Sequence, residues 1–323
     1  MANPIGGFSA ALSPDAVQTA IDAVMWEEYS REQQPNYLRA SDPFFFQQST
    51  TEGKLRFVWD EDSNVGQFQF TEEQEEILNT DTIIGNQTNV GSRKYTKQVP
   101  ISDEAFRADQ VGKRDRIGRQ VGDRARLTQD SEAILRTYGD AFAGTFYNTP
   151  DGVSTANNSH VLLGTNGTLD NLELGSLNAD NAWVSVTSLA NQRGQDGDAG
   201  SHVFEGFLCP FTLYKTAKET FNSQLVPFSA ENQVNIFDTD YGTIRIYASI
   251  FLGSTYNSAA NANTSTHYIS RNHMFQRKVF YGLTTDLIPP TASANDVYLH
   301  RSKFHEVAFP GSWTGYVGNN GTV

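Results

Sequence analysis

Val17, Ile21, Val24, Met25 and Tyr29 recur at the three- and four-residue spacing of one helix face, which predicts an amphipathic helix from about 14 to 33. Ser13 suits its N-cap, Pro14 its first position and Asp15 the positive end of its dipole. This is a packed surface helix or, more sharply, an arm that docks on a partner. Phe44, Phe45 and Phe46 follow the turn at Asp42-Pro43. Three adjacent rings cannot share one face of a helix or strand, so part of the trio needs a second surface, and another chain can supply it. Leu55, Phe57 and Trp59 then alternate with Lys54, Arg56 and Val58, the period of a half-buried strand. Phe68 and Phe70 alternate again, and Arg93 to Lys97 reads as a returning strand. Residues 51–99 hold too few apolar side chains for a core of their own. They read as a long β-hairpin projecting from the body, which is marginal in water without a supporting surface.

Helical spacing returns over 105–147. Gly112, Gly118 and Gly122 weaken its first half, whereas Leu127, Ile134, Leu135, Tyr138, Phe142 and Phe146 form one broad apolar face. The expectation is a dominant helix over 123–147 preceded by a shorter piece. Residues 148–177 are rich in Asn, Gly, Thr and Ser and read as loop, with a turn at Pro150-Asp151-Gly152. A short helix follows over 181–192, then a buried strand over 204–209 and a helix starting at Pro210. Ile244, Ile246, Ala248 and Ile250 alternate after the turn Asp238-Thr239-Asp240, giving a strand over 241–252. Further strands are expected at 266–270, 278–283, 298–309 and 313–317. Helix, hairpin, long helix and then mixed elements make the fold class α+β rather than a βαβ alternation.

The charge is unevenly laid out. The 323 residues include 37 acidic against 24 basic side chains, a net charge of -13, which disfavours nucleic acid or an anionic membrane as a partner. No run approaches the ~18 apolar residues that a spanning helix needs, and the first residues lack the pattern of a signal peptide. A single cysteine, Cys209, excludes an internal disulfide and fits a reducing compartment. Every ionisable residue from Asp60 to Asp81 is acidic, including Asp60, Glu61, Asp62, Glu72, Glu73, Glu75 and Glu76. Basic residues outnumber acidic ones from Arg93 to Arg136, with Arg114, Arg116, Arg119, Arg124 and Arg126 on the helical part. Either these are two solvated faces, or the acidic hairpin lies across the basic helix of a neighbouring copy. Such contacts set register and on-rate, each exposed pair being worth only ~0–1 kcal/mol.

Catalytic patterns are lacking. The histidines His160, His202, His267, His273, His300 and His305 show no helical metal-site spacing, and Cys209 has no Cys or His close by. There is no nucleophile elbow, phosphate loop or dinucleotide turn. Asp60, Glu61, Asp62, Asn64 and Gly66 resemble part of a calcium loop, but the ligand ladder is incomplete. No carboxylate pair stands out in an apolar setting. No cofactor, metal or catalytic residue is expected.

Five stretches, in order, resemble tailed-phage major capsid proteins of the Hong Kong 97-like fold. They are an arm ending near Phe46; a loop over 51–99 returning through Val99-Pro100-Ile101-Ser102-Asp103-Glu104; and a long helix running into Thr149-Pro150-Asp151-Gly152-Val153. A strand, Pro210 and helix over 204–221 follow, with a strand ending at Leu252-Gly253-Ser254, and finally Trp313-Thr314-Gly315-Tyr316-Val317-Gly318. The resemblance implies an N-terminal arm (1–50), an extended loop (51–100), and a peripheral domain built on a spine helix (101–150). An axial domain (151–265) and return strands (266–323) complete it. It further implies pentamers and hexamers of one chain, partnered by scaffolding, portal and possibly decoration proteins, around double-stranded DNA held without sequence-specific contacts. Because the chain starts at the arm, scaffolding is expected from a separate or removed segment. Some relatives cross-link Lys to Asn; Lys54, Lys94 and Lys97 lie on the loop without a recognisable partner, so non-covalent locking is expected. The alternatives are an encapsulin-type compartment shell and, from a different class, an α+β hydrolase.

Overall fold

The computed structural model describes residues 14–31, 37–50, 54–62, 84–102, 112–163, 167–225, 234–241, 244–259, 262–290 and 297–321. Its helices are α1 (Pro14–Ser30), α2 (Lys113–Arg136), α3 (Ala179–Ala190), α4 (Tyr214–Asn222) and α5 (Ile236–Asp240). Its strands begin with β1 (Gln47–Thr50), β2 (Arg56–Asp62), β3 (Ile84–Gly91) and β4 (Arg93–Ser102). Short strands β5 (His160–Val161), β6 (Thr168–Leu169) and β7 (Leu172–Glu173) follow. The last are β8 (Phe204–Pro210), β9 (Arg245–Ser249), β10 (Thr266–Ser270), β11 (Phe275–Ile288), β12 (Val297–Pro310) and β13 (Tyr316–Asn319). No helix among the described residues is long and apolar enough to cross a membrane.

The predicted apolar face of α1 is buried: Val17, Ile21 and Met25 pack with Ile117, Val121 and Ala125 of α2. The long helix departs from expectation at both ends. It begins at Lys113, because Gly118 and Gly122 are contact points rather than weak points. A Cβ on Gly122 would stand 2.3 Å from the Met25 carbonyl oxygen, and one on Gly118 would stand 2.8 Å from that of Ile21. The ~1 kcal/mol that glycine costs a helix is offset by letting two backbones touch. The helix ends at Arg136, where Thr137 turns out of helical geometry and the Gly139 amide reaches back to Ile134 O at 2.9 Å. Phe142 and Phe146 therefore lie in turns beyond it.

Two sheets organise the rest. The four-stranded sheet has the order β1-β11-β12-β4, with β1 parallel to β11 and the other pairs antiparallel. The five-stranded sheet has the order β7-β13-β10-β8-β9. Phe45, Phe46, Ile134, Tyr138, Leu208, Phe275 and Tyr316 form one core with residues of both sheets. Phe204, Phe207, Phe221, Phe237, Tyr268 and Val317 form a second core under α3 and α4. The 241–252 strand is shorter than expected. Asp238 to Asp240 belong to α5, capped by Asn235, and a 3-10 turn over Ile250–Leu252 is capped by Ser249. Pro210 ends β8 instead of opening a helix, and α4 begins after another 3-10 turn.

The hairpin is divided. β2 and β3 form a two-stranded sheet of their own, whereas β4 has already joined the body, with Arg93 opposite Glu306 and Ser102 opposite Val297. The projecting part is thus shorter than 51–99.

Candidate assembly surface

Alternation on β2 directs Phe57, Trp59 and Glu61 inward and exposes Arg56, Val58 and Asp60. Phe57 and Trp59 meet Phe309 at centroid distances of 5.7 and 5.5 Å, and the Lys278 ammonium sits 4.9 Å from each of the two rings. Trp59 Nε1 donates to Gly311 O at 2.8 Å. Val90 of β3 is buried against Val307 and Phe309. The root of the hairpin is therefore anchored on its own chain.

Glu61 is the main surprise. Predicted as a solvated contact to a neighbour, it is 5% exposed and accepts a hydrogen bond from Gln195 Nε2. Burial pushes its carboxyl up to about 7. Its acidic neighbours Asp60 and Asp62 mask in the sequence that it continues the inward row Phe57, Trp59, Glu61. Asp60 is exposed, as a docking surface requires. The side chain of Asp62 and the residues Glu72, Glu73, Glu75 and Glu76 lie outside the described residues.

On α2, Arg116, Arg119 and Arg124 are exposed and Arg114 is half-buried; Arg119 lies 3.9 Å from Glu28 of α1. Arg126 is a correction. It is 3% exposed, pairs with Asp123 one turn before, and donates to Arg31 O at 3.1 Å, fixing the end of α1. The reason is helical phase: Arg126 falls on the same buried stripe as Gly122, Gln129 and Ala133. Beside it lies a buried ionic cluster that the sequence did not disclose. Arg277 pairs with Glu306, Gln129 Nε2 donates to Glu306 at 3.4 Å, and Asp130 accepts from the Ala40 amide at 2.7 Å. Burial raises both the Asp130 and Glu306 carboxyls, while neighbouring arginines pull them back.

The phenylalanine trio is also corrected. Phe45 and Phe46 are fully buried within the chain, edge-on to Tyr138, whose hydroxyl donates to Phe45 O at 2.8 Å. Phe44 is half-buried beneath the Arg245 guanidinium, 4.6 Å away. The second surface that Phe45 and Phe46 need lies within the chain, in the core that both sheets share.

Among the described residues no group of three His, Cys, Asp or Glu side chains is placed to hold a metal. His160 is structural in its setting: its Nδ1 lies 2.7 Å from Asp151, both side chains are buried, and its ring stacks on Trp313. Desolvation lowers His267 to about 3, so it packs as a neutral ring against Tyr316. Cys209 is buried, which pushes its thiol up and makes it unreactive.

Comparison with known proteins resolves what such a scaffold is. The family described as phage capsid protein matches residues 87–292, more than half of the chain. The chain belongs to the phage capsid protein family. No curated protein matches it in sequence. The capsid of Ralstonia phage GP4 is 13% identical at a TM-score of 0.54, over 90% of this chain and 94% of that one. The capsid of Myoviridae phage XM1 is 12% identical at a TM-score of 0.52, over the same shares. A virus-like particle from Pyrococcus furiosus is 9% identical at 0.51, over 93% and 98%. At these identities the likeness establishes the fold, which is Hong Kong 97-like. The capsid protein is a structural subunit of the virion shell.

Proposed function

We propose that this capsid protein is the major subunit of a tailed-phage shell, closing as pentamers and hexamers around double-stranded DNA without reading its sequence. In this reading α2 is the spine of the peripheral domain, and the five-stranded sheet with α3 and α4 builds the axial domain. Scaffolding and portal proteins, and possibly a decoration protein, are its partners, and assembly takes place in the host cytoplasm. The acidic distal hairpin lies across the exposed arginines of α2 in a neighbouring copy, and non-covalent contacts lock the lattice. The observation that carries this is the division of the hairpin: a root anchored on its own body, leading to an all-acidic stretch. The exposed Arg116, Arg119 and Arg124 provide the opposite charge. Electron microscopy of the full recombinant chain, and of the virion, tests the proposal. Closed shells with five- and six-fold clusters and DNA in the virion are expected. A protein cargo in place of DNA favours a compartment shell, and a small monomer with substrate turnover ends the proposal.

A further inference from the structure

A cavity of about 620 Å3 opens beside the hairpin root, lined by Trp59, Glu61, Gln195, His202, Ser312 and Thr314. Glu61 and Gln195 are 5% and 4% exposed. Gln195 Nε2 donates to one Glu61 oxygen and, at 3.2 Å, to Ser312 Oγ. That leaves Glu61 Oε2, Gln195 Oε1 and both His202 ring nitrogens without a hydrogen-bonding partner among the described residues. Two carbonyl-type acceptors and a neutral imidazole, with one N–H donor and one acceptor nitrogen, thus border one open space without partners, which is costly.

The ionisable side chains lining that space are Asp60, Glu61 and His202; Lys278, which stacks on Trp59, is not among the lining residues. Asp151 is close enough to disfavour ionisation of Glu61. The groups that act on the Glu61 carboxyl include the Ser312 hydroxyl but no arginine or lysine. Desolvation lowers His202, which holds its ring neutral. Every ionisable residue from Asp60 to Asp81 is acidic, so this stretch of the hairpin brings no cation of its own. The site therefore has acceptors, an aromatic wall and carboxyl groups, and none of the residues that line it is a cation.

We propose that this cavity is a socket for a cationic side chain from a second copy of this chain, whose N–H groups donate to Glu61 Oε2 and Gln195 Oε1. Exposed arginines of α2, such as Arg116 and Arg124, carry a group of the right charge and shape. The identity of the occupant rests on the shell reading, because only a lattice presents a second copy at fixed register. Inserting a cation favours the ionised carboxylate, so the socket binds most tightly where Glu61 has lost its proton.

Two measurements on the full chain test this. Methylguanidinium chloride is titrated at pH 8 into unassembled subunit at constant ionic strength, with two-dimensional NMR of the Trp59 indole as readout. Saturable binding is expected, at least tenfold weaker in Glu61→Gln and in Gln195→Leu; equal binding by all three, or none by wild type, overturns the socket. Side-chain-resolution cryo-electron microscopy of shells is the second. A neighbour's lysine or arginine in the cavity supports the proposal. Shells with only water there overturn it while leaving the capsid assignment intact. Failure to form shells under any condition overturns the shell reading and the second-copy occupant together, whatever the titration gives.

Discussion

Phe57, Trp59 and Glu61 succeed one another at two-residue spacing on β2, so their side chains leave one face. The consequence for Glu61 is a titration near neutrality. Its carboxyl rises from an ordinary 4.5 to about 7, so the folded chain keeps a proton that the unfolded chain has released. The associated stability is present below pH 4.5 and is lost as pH rises through 7, amounting to about 3 kcal/mol. Denaturant unfolding of the unassembled subunit at pH 5.5 and 8 checks this against Glu61→Gln. The variant is expected to gain relative to wild type as pH rises, and a constant difference counts against a buried neutral carboxyl. His267 acts in the opposite direction: lowered to about 3, it contributes stability above pH 6.5 that is lost on acidification. Comparing variant with wild type cancels that contribution. The alternation that buries Glu61 was legible in the sequence; the charge of Asp60 and Asp62 obscured it. The unpaired state of its second oxygen was not legible, since Gln195 and Ser312 arrive from distant parts of the chain.

At the scale of elements, the α1–α2 contact separates two views of glycine. If Gly122 only loosened the helix, alanine would stabilise it by ~1 kcal/mol. Because the added Cβ would sit 2.3 Å from a backbone oxygen of α1, Gly122→Ala is expected to destabilise instead, by roughly 1–3 kcal/mol. Gly282 of β11 has open space around its Cβ position, so Gly282→Ala is the control and should leave the melting temperature nearly unchanged. A stabilised Gly122→Ala would reject the close-approach account. The apolar faces of α1, α3 and α4 and the strand over 266–270 were readable because periodicity alone determines them. The start of α2 was not, because the reason for its glycines lies on another helix nearly a hundred residues earlier.

Across the whole molecule, a net charge of -13 on every copy makes subunits repel one another, so assembly depends on where the few positive groups stand. Reversing Glu72, Glu73, Glu75 and Glu76 to lysine is expected to weaken shells while leaving helical content intact. Reversing Arg116, Arg119 and Arg124 to glutamate in the same chain, together with Glu61→Gln so that no like charge meets the socket, should restore part of the loss if hairpin and helix meet across copies. Sedimentation of shells and circular dichroism of subunits read the two effects, and absence of rescue rejects that pairing. Charge segregation and element order were visible in the sequence, which is why the shell fold was within reach. Strand pairing was not: β4 lies against β12, and no local pattern joins Ser102 to Val297.

That pairing constrains the order of events during synthesis. β12 separates β11 from β4 in one sheet, and β13 separates β7 from β10 in the other, so in each sheet an early strand is joined to the rest through residues after 296. A nascent polypeptide lacking them leaves β4 and β7 without the strands they pair with. Both sheets are therefore completed only once this last region has been synthesised, and the root of the 84–102 segment stays unpaired on its β4 side until then.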